Sequence, residues 1–148
     1  MIALNELAVA VIENKLAETL HGQEKYDEAE PRYRSALATF LRLRRDDYAG
    51  RSLMSLGSLL MMRPAQGSQD KELDYENAED YLLDAVDIFR KAGSAGRPRQ
   101  REALLLLQTL YSPQHWNDTE SQSRIEAALR TLDESSPGGD SFPNLPKG

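Results

Sequence analysis

A five-residue pattern that occurs twice constrains the fold of this chain more than any other feature. Tyr26, Ala29, Tyr33, Ala36 and Phe40 return as Tyr75, Ala78, Leu82, Ala85 and Phe89, each displaced by 49 positions. Alternating steps of three and four place each set along one face of a helix. A second apolar stripe precedes each set: Leu16, Ala17 and Leu20 in the first case, Leu56, Gly57 and Leu60 in the second. In the first case the polar break Gly22-Gln23-Glu24 separates stripe from pattern. The unit is therefore two helices folded back on one another. Ala17, Ala29 and Ala36 sit where the helices approach closely, and the larger side chains fill the gaps beside them. Asp27 and Glu30 have the spacing of a capping box, and Pro31 lies about one turn into the second helix, where it costs at most one terminal hydrogen bond.

The stretch NKLAETLHGQEKYDEAEPRYRSAL resembles a tetratricopeptide repeat, and YDEAEPRYRSAL within it is similar to the longer repeats of the kinesin light chain type. The matching positions are Leu16, Ala17, Leu20, Tyr26, Ala29, Tyr33 and Ala36. The resemblance covers most of residues 5–132, strongly in the first unit, clearly in the second and loosely in the third. It implies an all-α fold of three stacked antiparallel helix pairs, a right-handed α-solenoid.

The units run over about 3–45, 48–92 and 98–133, within one helical domain of residues 1–134. In the first, residues 3–22 and 27–45 are predicted helices. Leu7 to Ile12 is apolar on every side, which requires burial on every side. Either this turn packs between its own partner helix and the next pair, or a neighbour outside the chain covers it. That neighbour is an upstream repeat or another copy, meeting Leu4, Leu7, Val11 and their surroundings. Arg42, Arg44 and Arg45 read as a solvated helix end, since cations complement the macrodipole there.

In the second unit the stripe is displaced by 40 positions but the pattern by 49, so about nine extra residues lie between its helices, around Arg63 to Gln69. Such insertions map to one edge of a repeat stack, as a functional loop or as inert surface. The acidic run Asp70, Glu72, Asp74, Glu76, Glu79 and Asp80 lacks the glycine and closing glutamate of a calcium loop, and reads as a solvated helix start. Gly93 to Pro98 is a clear break. The third pair, Ala103 to Tyr111 and then Ile125, Ala128, Leu129 and Leu132, is degenerate, as a capping repeat is. Trp116 stands where the tyrosines stood. The Pro-, Gly- and Ser-rich segment 135–148 has the composition of a disordered tail, with Phe142 and Leu145 as an alternative docking motif.

The net charge of −6 argues against nucleic acid or an anionic membrane as partner. No apolar run is long enough to span a bilayer, and no basic leader addresses the chain for export, so the expectation is a cytoplasmic protein. The absence of cysteine removes disulfides, thiolate metal sites and a thiol nucleophile. His21 and His115 fall in different units without metal-ligand spacing, and no phosphate loop or nucleophile elbow occurs. We therefore expect no enzyme, metal or cofactor.

Proteins with such repeats bind ligands along the concave side, lined by the first helix of each unit. Carried over by position, the resemblance assigns Asn14, Glu18 and His21 to that side, then Arg51, Met54, Ser58, Met61 and Met62, then Arg101 and Gln108. Repeats that clamp a C-terminal carboxylate carry Lys at the Asn14 position and Asn at the Glu18 position, so that mode is disfavoured. Met54, Met61 and Met62 suit a groove that accepts a peptide or helix, and equally suit a core. The expected function is a scaffold or adaptor that binds a protein or peptide partner. The alternative is an assembly element that self-associates, or caps a longer array, through its apolar N-terminal helix.

Overall fold

The computed structural model describes residues 2–65 and 71–134, with side chains from Asn5 onward. Its elements are α1 (Ile2–Gly22), α2 (Tyr26–Arg42), α3 (Asp46–Met62), α4 (Lys71–Lys91), a 3-10 turn (Gly93–Gly96), α5 (Arg97–Leu110) and α6 (Thr119–Glu134). Among the described residues there is no strand. Each helix packs on the next, and α3 also touches α1 and α5. No two of α2, α4 and α6 approach one another within 8 Å between Cα atoms. The expected tail and Gln66–Asp70 lie outside the described residues.

The recurring pattern forms the core. Ala29, Tyr33, Ala36 and Phe40 of α2 are buried, and so are Ala78, Leu82, Ala85 and Phe89 of α4. Gly57 of α3 is required by contact: a Cβ there would lie 2.5 Å from Leu82 Cγ. Ala17 occupies the equivalent place in α1, fully buried.

Both helices of the first pair end by the same device. The backbone N–H of Glu24 donates to the His21 carbonyl at 2.9 Å and that of Lys25 to the Leu20 carbonyl at 2.9 Å. Arg44 and Arg45 repeat this on Leu41 (3.1 Å) and Phe40 (2.8 Å). This six-to-one, five-to-two pattern needs a left-handed residue between helix and exit. Glu24 (φ 62°) and Arg44 (φ 58°) supply it, although neither is glycine. The left-handed turn is why α2 stops at Arg42, three residues before its expected end at Arg45.

Several expectations are corrected. α2 has no side-chain cap. Asp27 and Glu30 instead receive Arg63 Nη1, at 3.2 and 2.8 Å. Arg63 opens the insertion, yet only 6 % of its side chain is exposed, and it also donates to both oxygens of buried Asp74 (2.8 and 3.3 Å). Burial works to lower its pKa, but Asp74 and Glu30 prevail and hold the guanidinium above its ordinary value. Asp74 is thus an interior anion, whereas its neighbours Glu72, Glu76 and Asp80 are exposed. Lys71 Nζ meets the Arg63 carbonyl and donates to the Leu60 carbonyl at 2.6 Å, closing the end of α3.

Trp116 precedes α6 rather than belonging to it. It stacks on Tyr111, with ring centroids 6.2 Å apart, and Asp118 begins the helix by accepting the Ser121 N–H at 3.1 Å. Along α1, Leu7 and Val11 pack against the core. The side chains left uncovered are Val9, Ile12 and Leu16, at 60, 66 and 41 % exposure.

Candidate functional site

The residues expected to face a partner gather, in large part, on the surface built by α1, α3 and α5. A depression of about 260 Å³ is bordered by Glu18 and His21 from α1, Met54 and Ser58 from α3, and Arg99 and Leu106 from α5. A smaller one, about 160 Å³, continues along α1 past Asn14 and Lys15 to Tyr48. A third, about 440 Å³, lies beyond, between the start of α3, the end of α4 and the 3-10 turn, with Ile88 and Phe89 in its wall. Arg51 borders all three and Arg99 two of them.

The polar groups here differ in how much they have left to offer. Asn14 is spent within the fold: its amide accepts the Ser52 hydroxyl at 2.8 Å and donates to Glu18 at 3.3 Å. Arg99 is paired with Glu102 at 3.1 Å. Arg45, close by in sequence, is held by both oxygens of Asp47 and lies over the Tyr48 ring. Arg51 is exposed and has no ion pair or hydrogen bond among the described residues. An unpaired guanidinium between depressions is the strongest recognition group on this face, because its planar fork can take two hydrogen bonds from one anion.

His21 links the surface to the core. Its Nδ1 shares a hydrogen bond with the buried Tyr33 hydroxyl at 3.2 Å, the donor set by the imidazole tautomer. Burial lowers the His21 pKa, against an opposing pull from Glu18. Tyr33 is pushed up to about 12, first by burial, with Ser55 opposing and Glu18 adding. Both rings are therefore neutral near pH 7, and they make hydrogen bonds rather than charge.

Of the ten positions assigned from sequence, Asn14, Glu18, His21, Arg51, Met54 and Ser58 come together, whereas Gln108 borders none of these depressions. Met54 shows its edge to the depression but is only 8 % exposed, so it is chiefly a core residue. Met61 is buried at 3 %, and Met62 is exposed but borders none of these depressions. Arg101 leaves the face to pair with Asp133 of α6 at 2.9 Å. Sequence reasoning missed Ser55, Arg99 and Leu106. Leu106 sits in the apolar run 103–107, and the register that placed Arg101 and Gln108 puts it at the position of Leu56, on the core stripe.

Among the described residues no group of three or more His, Asp or Glu side chains is placed to hold a metal ion. None of the helices there is long and apolar enough to cross a membrane. No family model, curated protein or solved structure matches the chain.

Proposed function

We propose that this chain is a non-catalytic protein-interaction module, a tetratricopeptide-like solenoid of three helix pairs that holds a peptide or helix of a partner along α1, α3 and α5. One observation carries the reading: side chains from three helices border linked depressions whose shared member, Arg51, has no partner within the described chain. The pairwise packing supports the solenoid, because the first helices of successive pairs touch while the second helices stay apart. A stack with one close row and one spread row curves toward the close row, which makes α1, α3 and α5 the concave side.

The chemistry also indicates the ligand. The apolar walls at Leu106, Ile88 and Phe89 take side chains, and Arg51 takes an acidic group. Glu18, already bonded to Asn14, turns a carboxylate away from the α1 end and so sets the direction in which a peptide lies.

The test is selection of a random-peptide display library on the purified chain, followed by binding of the enriched peptides to native protein and to Arg51→Glu. Arg51 is exposed, so the variant keeps the native thermal melt. The expected result is enrichment of peptides carrying an acidic residue, with affinity for Arg51→Glu reduced at least about 30-fold. Enriched peptides that bind both proteins equally would refute this location of the site.

A further inference from the structure

The outer face of α1 carries a separate signal. Val9, Ile12 and Leu16 are three of the few large apolar side chains exposed among the described residues, and they share one stripe of one helix. The chain itself shows what such positions do elsewhere. The α1-to-α3 displacement of 40 maps them onto Ala49, Ser52 and Leu56, and the corresponding positions of α5 are Gln100, Ala103 and Leu107. All six are buried, at 0–2 % exposure. In α3 the preceding pair provides the cover, with α2 packed alongside and Asn14 of α1 accepting the Ser52 hydroxyl.

The substitutions within this register identify the missing neighbour. Where the chain receives its own preceding pair, two of the three positions are small or polar, Ala49 and Ser52 or Gln100 and Ala103. In α1 all three are large and aliphatic. Their spacing of three and then four residues is that of a narrow helix–helix seam, with side chains of one helix seated between those of another. A head-to-tail copy is a poor occupant of this stripe, because among the described residues the opposite end of the molecule exposes no large apolar side chain. α6 buries Ile125, Ala128, Leu129 and Leu132 and exposes no large hydrophobic residue.

An apolar surface with no complement elsewhere among the described residues can be satisfied by itself, across a two-fold axis, the commonest symmetry of a homo-oligomer. The flanking charges fit that arrangement. Glu6 and Arg42 lie beside Val9, whereas Glu13, Glu28 and Arg32 lie beside Leu16. Glu6 and Arg42 already pair with each other at 3.1 Å, both still partly exposed, and an antiparallel arrangement sets this pair against the partner's Glu13, Glu28 and Arg32, where Arg42 is shared with the partner's two carboxylates.

We propose that two copies of this chain associate through the outer face of α1, its Val9, Ile12 and Leu16 stripe packing antiparallel on the same stripe of the second copy. The proposal is independent of the groove reading.

The test uses the whole chain in two measurements. Light scattering over a wide concentration range is expected to give a dimer and nothing larger. Ile12→Glu should raise the dimer dissociation constant at least about 100-fold with helical content unchanged, since Ile12 is exposed and its loss leaves no cavity. The chain has no cysteine, so Ile12→Cys carries a single thiol near the proposed axis and should form a covalent dimer on mild oxidation. Ser123→Cys on α6 should not. A monomer at all concentrations, growth beyond the dimer, or cross-linking through Ser123→Cys in preference to Ile12→Cys would each overturn the proposal.

Discussion

Arg63→Met should destabilise the protein more than any other substitution at the insertion. The guanidinium is almost wholly buried and holds Asp74 (8 % exposed) and Glu30 (15 % exposed), while Asp27, at 64 %, remains hydrated without it. Removing one member of a buried ion pair costs about 3–5 kcal/mol, because the charge left behind has lost its counter-ion. Lys71 remains 3.7 Å from Asp74 and Arg34 keeps its own ion pair with Glu30, and together they offset part of this. The net loss is then about 3 kcal/mol, or about 10 °C in Tm for a chain of this length. Urea unfolding followed by circular dichroism reads it directly, with the m-value unchanged if the native state keeps its compactness. The triple variant Arg63→Met, Asp74→Leu, Glu30→Gln should recover most of the loss, since a well-packed apolar replacement is often neutral. If Arg63→Met alone cost less than about 0.5 kcal/mol, Arg63 would not be an interior cation and the insertion would not be anchored to α2 and α4.

Three further outcomes follow from local geometry. Gly57→Ala should cost about 1–3 kcal/mol, since its Cβ would press on Leu82 and force the two helices apart, and a thermal melt would show it. Glu24→Gly should stabilise by about 0.5–1 kcal/mol, because glycine adopts φ 62° without the Cβ clash and the gain exceeds its extra unfolded-state entropy. His21 has a folded-state pKa below its unfolded value, so the unfolded chain binds the proton first as pH falls. Its contribution is present in full above about pH 6.5 and is lost as pH drops through that value toward the folded pKa. In denaturant titrations at pH 7.5 and 5, the native protein should lose more stability than His21→Gln.

The first pair was legible because its information is local. Helical spacing, a polar break and small residues at the crossing placed α1 and α2 and nearly all of their core. Arg63 was not legible, because its partners come from two other helices and the four residues share no periodic relation. Leu16 shows a subtler limit. Periodicity and resemblance put it on an apolar stripe, and Leu56 at the equivalent place in α3 is fully buried. A stripe defines a face, however, and only the neighbouring element decides whether that face is covered. The same holds for Met54 and Met61, whose spacing fits groove and core alike until α4 and α5 are in place. In the third pair Trp116 lies ahead of α6, which begins at Thr119, and Arg99 and Leu106 were lost with the register.

The two proposed interaction surfaces are separable on geometric grounds. Each residue turns the helix by about 100°. On that wheel Asn14, Glu18 and His21 centre roughly 180° from Val9, Ile12 and Leu16, so α1 presents the groove on one side and the apolar stripe on the other. Pairing through the stripe would leave both grooves open and pointing away from the dimer axis. A partner that displays two copies of a groove ligand would then gain avidity through effective concentration, by about 10²–10⁴-fold, without any new contact. The two variants dissect this. Arg51→Glu should abolish capture of monovalent and bivalent ligand alike while leaving the dimer intact. Ile12→Glu should leave monovalent affinity unchanged and remove only the bivalent gain. Loss of monovalent binding in Ile12→Glu would mean that the two faces of α1 communicate, and the separation argued from the helix wheel would fail.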